Sequence, residues 1–431
     1  GGDEGRLPAP FAARADGVDP ASLERTVRAL AAFGTRHTAS DATSPDRGIG
    51  AARRWLAAEF RAIAGSAKAP MRVEEQAFTA PAGARLAADT EIVNVSAVLE
   101  GTDPASRDRR IVVAGHYDSR ASDVMDAAID APGANDDASG VAVVLEMARI
   151  FAAAPPEATL VFLCVAGEEQ GLIGSRHFAR KAREDGWDVQ AMITNDIVGN
   201  SLGPGGERHR GYVRVFSEGL PAAANPMDLR LVRTLGAEND SPSRQLARFV
   251  HEQGSAHFAD FEARMVWRPD RFLRGGDHLA FNEAGYPAVR FTEPFEDFRR
   301  QHADVDDTHG DLAEHVDVDY LARVARMNAV VLAALAHAPA PPRRVGLQAT
   351  SLGHATTLSW DTGREPDLAG YEVAWRATTA AHWEGVRGVE GGRDATLATL
   401  DLSKDDHHFG VRAVDRDGNR SPVAYPVPIT R

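Results

Sequence analysis

Two adjacent carboxylates, Glu168 and Glu169, follow the apolar run Thr159–Val165. That run is short, continuous and rich in branched side chains, the pattern of a buried strand. A chain that leaves a core strand on two acids either uses them or carries two desolvation costs. His116-Tyr117-Asp118 and Asn135-Asp136-Asp137 lie just past other apolar stretches, Asp196 closes the run 191–195, and His302 comes later. Imidazole nitrogen and carboxylate oxygen are the donors that divalent metals such as zinc take in this mixture. Two ions roughly 3.5–4 Å apart need about five protein ligands, one of them a shared carboxylate. His116, Asp136, Glu169, Asp196 and His302 supply that number. Glu168 neighbours a proposed ligand, diverges from it on leaving the strand, and is free to act as a general base. Asp118, two residues past His116, is placed to hold the second ring nitrogen and fix its tautomer.

The elements that must position these residues alternate in type. Helical spacing predicts helices over 21–33, 51–64, Ala138–Ala153 and 320–336. Strands are predicted over 72–78, 91–99, 110–115, Thr159–Val165, 192–196 and Ala288–Thr292. Such alternation predicts an α/β fold, an α/β/α sandwich around a mixed, largely parallel sheet. Sites in open α/β sheets form beyond the carboxyl ends of the strands, where His116, Glu168-Glu169 and Asp196 fall. The Pro-rich stretch 338–344 reads as a stiff linker. Beyond it, 345–431 is all-β, with strands over 356–360, 371–376, 395–400 and 408–414 forming a small sandwich. The expected domains are thus an arm at 1–20, a catalytic domain at 21–337, the linker, and the sandwich at 345–431.

The chain has 431 residues and a formal net charge of -14, which argues against nucleic acid or an anionic membrane as partner, since both need basic patches. No stretch reaches the roughly 18 apolar residues of a membrane span. The single cysteine, Cys164, excludes an intrachain disulfide and, lying inside the strand run, reads as a buried thiol. Gly1 in place of Met suggests a processed chain.

Several segments together resemble the M28 family of zinc peptidases, of the co-catalytic aminopeptidase type. They are Gly115-His116-Tyr117-Asp118-Ser119, Gly133-Ala134-Asn135-Asp136-Asp137-Ala138-Ser139-Gly140 and Gly167-Glu168-Glu169-Gln170-Gly171-Leu172, followed by Asn195-Asp196 and Gly276-Asp277-His278. The resemblance implies two Zn2+ ions bridged by Asp136, with His116 and Asp196 completing one site and Glu169 and His302 the other. It implies a water shared between the metals and activated by Glu168, and a cis peptide between Asp136 and Asp137. His302 is preferred over His309 because Asp307-Thr308 follow it. The Tyr that some members use to hold an oxyanion has no counterpart; Arg271 or Arg274 is a candidate for its place, the alternative being that the metals suffice, and Asp277 and His278 are further substrate-binding candidates.

The implied activity is removal of N-terminal residues from peptides with a free N-terminus. A glutaminyl cyclase-like acyltransferase, another peptidase or amidase on the same metal core, and a non-enzymatic scaffold are the alternatives. The segment 345–431 resembles a fibronectin type III domain, through Leu358-Ser359-Trp360, Gly370-Tyr371-Glu372-Val373 and Phe409-Gly410-Val411. Such a module suggests surface or polymer binding and, with the family, export to the periplasm or medium.

Overall fold

The computed structural model describes residues 9–350 and 352–430. Eight strands form one sheet: β1 (Met71–Ala80), β2 (Thr90–Leu99), β3 (Arg109–His116), β4 (Thr159–Val165), β5 (Asp188–Asn195), β6 (Tyr212–Ser217), β7 (Glu262–Val266) and β8 (Ala288–Thr292). Their order is β1-β2-β4-β3-β5-β8-β6-β7. The centre, β4-β3-β5-β8, is parallel. β1 and β2 join one edge antiparallel, and β6 reverses against β8. Parallel strands require crossover helices that cover both faces, so their sequences are apolar without alternation. Every residue of β4 is buried accordingly.

Nine α-helices accompany the sheet among the described residues: α1 (Ala9–Asp16), α2 (Pro20–Ala31), α3 (Gly48–Ala64), α4 (Ala138–Ala153), α5 (Ile173–Glu184), α6 (Pro226–Leu235), α7 (Pro242–His257), α8 (Asp277–Glu283) and α9 (Val318–His337). One face of the sheet shares its core with α1–α4, α7 and α9, through residues such as Leu23, Leu56, Val144, Phe151, Val250 and Leu332. The other face packs against α5 and α8 through Phe178, Ala182 and Phe281. This is the expected three-layer sandwich, and it carries Cys164 fully buried at its centre.

Two expectations change. Of the loose arm at 1–20, residues 1–8 lie outside the described residues, but α1 is a packed helix. Phe11 and Ala15, at i and i+4 of the helix, are buried, as is Val18 just past its end, a pattern that a Pro/Ala/Gly-rich composition conceals. The linker at 338–344 is not a free spacer. Ala338 is buried and accepts from Arg109, the Ala340 amide donates to Glu365, and strand pairing already begins at Arg343.

Beyond it, a four-stranded sheet (Leu397–Leu400, Thr356–Asp361, Arg343–Gln348, Val427–Ile429) faces a three-stranded one (Gly385–Gly388, Leu368–Ala377, His407–Asp415). Leu358, Trp360, Tyr371, Val373, Phe409 and Val411 fill the space between them.

Candidate metal centre

All four central strands end on the same edge of the sheet, and each delivers part of one cluster. β3 ends at His116, β4 leads into Glu168 and Glu169, β5 into Asp196, and β8 into the loop that carries His302. Asp136 comes from the loop before α4. The peptide bonds Asp136–Asp137 and Asp196–Ile197 are both cis.

His116 Nε2 lies 3.1 Å from Asp136 Oδ1 and 3.7 Å from Asp196 Oδ1. His302 Nε2 lies 3.0 Å from Asp136 Oδ2 and 2.9 Å from Glu169 Oε1. Asp136 therefore offers one oxygen to each imidazole. The donor atoms of His116, Asp136 and Asp196 lie within 4.8 Å of one another, as do those of Asp136, Glu169 and His302, and those of His116, Glu168 and Glu169. His309 turns away to Asp306 and is exposed, so the loop geometry separates the two histidines that the sequence left adjacent.

The backbone around this cluster is held by buried hydrogen bonds. Asp137 caps α4 by accepting from Gly140 N and also accepts from His116 N, tying the helix start to the end of β3. Both oxygens of Asp311 accept from the loop, from Asn135 N at 2.8 Å and Asp136 N at 2.7 Å. The nearest acceptor to His116 Nδ1 is the Asp118 backbone carbonyl at 3.1 Å, with the carboxylate at 3.5 Å. The Asp118 carboxylate also accepts from the Glu168 and Glu169 amides and from Thr38 Oγ1. The carbonyl and carboxylate oxygens lie beside the same ring nitrogen, and the carboxylate shapes the turn that presents the two glutamates.

The substrate-facing expectations divide. Asp277 and His278 are wholly buried, His278 Nε2 lying 2.6 Å from the Pro269 carbonyl; they form wall and offer no surface to a substrate. Arg271 is nearly buried, bound to Asp270 and Glu296. Arg274 also pairs with Glu296, at 2.6 Å, and with a side chain 30% exposed it is the member of this group that keeps a free surface.

Other contributors escaped the sequence reading. Arg36, fully buried, donates to the carbonyls of Tyr117, Pro132 and Gly133, bracing the segments on either side of the cluster. Gln301 donates to Asp136 Oδ2 at 3.2 Å, and Arg290 contacts Asp196 Oδ2 at 2.9 Å. Arg290 had a legible signal, a charge in the middle of an apolar strand; Arg36 had none, since its partners are carbonyls distant in sequence.

The electrostatics fit cations. Asp118, Asp136, Asp137, Glu169, Asp196 and Asp277 are buried within one cluster. Burial first, then the neighbouring Asp196, Glu169 and Asp277, push the Glu168 carboxyl well above the usual range, although His116 opposes this. Burial opposes charge on His116, yet Glu168, Asp118, Asp136 and Asp196 outweigh it and raise its affinity for a proton. A dication competes for the same lone pair. His116 Nε2 is buried without a hydrogen-bond partner while facing two carboxylates, and a divalent ion is the species that satisfies a nitrogen and carboxylate oxygens so arranged.

The sequence profile of peptidase family M28 matches residues 94–332. A probable zinc metalloprotease of Pyricularia oryzae is 47% identical over 422 residues, spanning 95% of this chain and 83% of that protein. The aminopeptidase from Aneurinibacillus sp. strain AM-1 superposes with a TM-score of 0.53 at 16% identity, covering 75% of this chain and 95% of its own. Glutaminyl cyclase of Porphyromonas gingivalis gives 0.50 at 19% identity, covering 74% and 98%. At such identities the two solved structures speak to the fold, whereas the profile and the fungal relative speak to ancestry: the chain belongs to peptidase family M28.

Proposed function

We propose that this peptidase is a di-zinc aminopeptidase that removes N-terminal residues from peptides. The observation that carries the reading is the convergence of His116, Asp136 and Asp196, and of Asp136, Glu169 and His302, into two donor sets that share one carboxylate. His116 and Asp196 would hold one ion and Glu169 and His302 the other, with one oxygen of Asp136 turned to each histidine. When bound, the pair of zinc ions supplies Lewis acidity, acidifying water and polarising the scissile carbonyl. Glu168 takes the proton of the attacking water on its carboxylate and returns it to the leaving amine. The surplus of carboxylates attracts the ammonium group of a free N-terminus and thereby favours exo-cleavage. The C-terminal sandwich is a fibronectin type III-like module that binds a surface or polymer, and the protein works after export.

One peptide in two forms, free and N-acetylated, incubated with the zinc-loaded protein and followed by mass spectrometry, tests this reading. Stepwise loss of residues from the N-terminus of the free form alone is the expected result. Internal or C-terminal cuts would move the protein to another peptidase class. A loss of ammonia from an N-terminal Gln without chain shortening would make it a cyclase, and two untouched peptides would favour a scaffold.

A further inference from the structure

Arg290 stands at the middle of β8, in Ala288-Val289-Arg290-Phe291-Thr292, and is fully buried. A buried guanidinium is costly unless it is paired and hydrogen-bonded. Its Nη1 makes the contacts: 2.9 Å to Asp196 Oδ2, 3.5 Å to Asp270 Oδ2 and 3.0 Å to the Gly275 carbonyl. Nε and Nη2 have no partner among the described residues. The orientation of the group is therefore decided by Asp196 and by the loop before α8. That loop closes directly over the pair, since a Cβ at Gly276 would stand 2.5 Å from Arg290 Nη1 and 3.4 Å from Asp196 Oδ2.

The neighbouring residue of β8 acts on the same target, because Asp196 N donates to the Phe291 carbonyl at 3.1 Å. Two successive residues of one strand thus hold both the backbone and the side chain of Asp196. With Oδ2 engaged by Arg290, Oδ1 is the oxygen that faces His116 Nε2, at 3.7 Å. Glu169, on the other donor set, has no arginine in this role; its amide is held by Asp118 and its carboxylate faces His302.

We propose that Arg290 is a positioning residue for one of the two metal sites, tying the outer oxygen of Asp196 so that the inner oxygen alone is presented beside His116. The proposal rests on the reading of His116, Asp136 and Asp196 as ligands. Groups that orient a metal ligand typically change affinity by about 10–100-fold when removed, and here the effect falls on a single ion.

The full-length apo-protein, titrated with zinc against a chromophoric chelator, tests it in the wild type and in Arg290→Met, Arg290→Lys, Asp196→Ala and His116→Ala. Two ions are expected for the wild type. In Arg290→Met, one should keep wild-type affinity and the other weaken by about 10–100-fold, with the cobalt(II) absorption of that one ion altered. Arg290→Lys keeps a charge without the planar fork and should weaken the same ion; it carries the test alone if the Met variant does not fold, as judged by the melting temperature of the apo-protein. Two ions of unchanged affinity in the Arg290 variants would overturn the proposal. Equal weakening of both ions would also overturn it, since the arginine would then serve the fold at large. A wild type without zinc, or Asp196→Ala and His116→Ala binding as wild type does, would instead bring down the ligand reading beneath it.

Discussion

Carboxylates in this protein differ in role because their surroundings differ. Asp136 stands between two imidazoles, and despite burial His116 and His302 hold it well below the usual carboxylate range. Asp137, next in sequence, turns to the amides of Gly140 and His116 and serves the backbone. Glu168 is pushed the opposite way by burial and by its acidic neighbours. Replacing Glu168 with Gln keeps its shape and spares the proposed ligands, so metal content should stay at the wild-type level while kcat falls by about 10²–10⁴-fold. Metal analysis alongside steady-state kinetics checks this, and an undiminished kcat would remove Glu168 from the role of base. Glu218, after β6, is a separate case far from the cluster in sequence. Burial pushes it up from 4.5 to about 7, against the Ala222 amide and Arg244. The native state then holds that proton more tightly than the unfolded chain. The stability it lends is fully present below the unfolded value and is lost as pH rises through about 7. Glu218→Gln should flatten that stretch of the stability–pH curve, measured by denaturant unfolding at stepped pH, and an unchanged slope would refute the assignment.

Close approach between elements brings the ligand-bearing strands and the capped helix into one cluster. α4 crosses over β3 and β5 with glycines at the contact: a Cβ on Gly140 would lie 1.9 Å from the Asn195 carbonyl, and one on Gly115 would lie 2.9 Å from the Gly140 carbonyl carbon. The same Gly140 amide is the one that Asp137 caps. In an ordinary helix interior, Gly to Ala stabilises by about 1 kcal/mol. Here the sign reverses, because overpacking against backbone costs about 1–3 kcal/mol and the displaced residue, Asn195, immediately precedes Asp196. Gly140→Ala should therefore lower the melting temperature and weaken zinc binding together. Stabilisation with intact metal affinity would show that the helix can shift without disturbing β5.

Across the whole molecule, the C-terminal sandwich is locked to the catalytic region by buried charge. Asp240, ahead of α7, lies 2.6 Å from Arg376 of the sandwich and 3.4 Å from Arg248 of α7, and the three side chains are at most 2% exposed. Trp383 stands 5.7 Å from the Arg248 guanidinium and 5.6 Å from that of Arg376, an arrangement that adds cation–π attraction once water is excluded. Arg412 reaches back to Glu252 at 3.2 Å. Removing one partner of a buried pair leaves an uncompensated charge and costs about 3–5 kcal/mol. Arg376→Ala leaves Asp240 with Arg248 at 3.4 Å and should show a loss toward the lower end of that range in denaturant unfolding of the full chain, whereas a change under about 0.5 kcal/mol, the usual range for surface substitutions, would mean that Arg248 alone compensates Asp240. A domain docked in this way contributes to stability.

Local pattern and local order determined a great deal. Apolar runs without alternation can be satisfied only by strands covered on both faces, so β3, β4, β5, β8 and the sandwich were legible, and α4 was predicted with its observed bounds. Carboxylates and histidines just past such runs must emerge at one edge of a parallel sheet, which is why His116, Glu168, Glu169 and Asp196 could be placed together in advance; Asp136, on the loop before α4, and His302, on the loop after β8, fall outside that rule, and His302 was chosen over His309 on the family resemblance. β7 was missed because it is a half-exposed edge strand of five residues, and α7 because its buried face includes Arg244, Gln245 and Arg248, whose burial depends on partners far along the chain. Only the tertiary structure decided that the Asp118 carbonyl lies beside His116 along with its carboxylate, that Arg36 braces the loops and Arg290 holds Asp196, that Asp277 and His278 lie inside the wall, and that the sandwich is fastened through Asp240. The common reason is that a side chain's period reports the face on which it lies, whereas the charge or carbonyl it meets there is supplied by another element, often a hundred or more residues away.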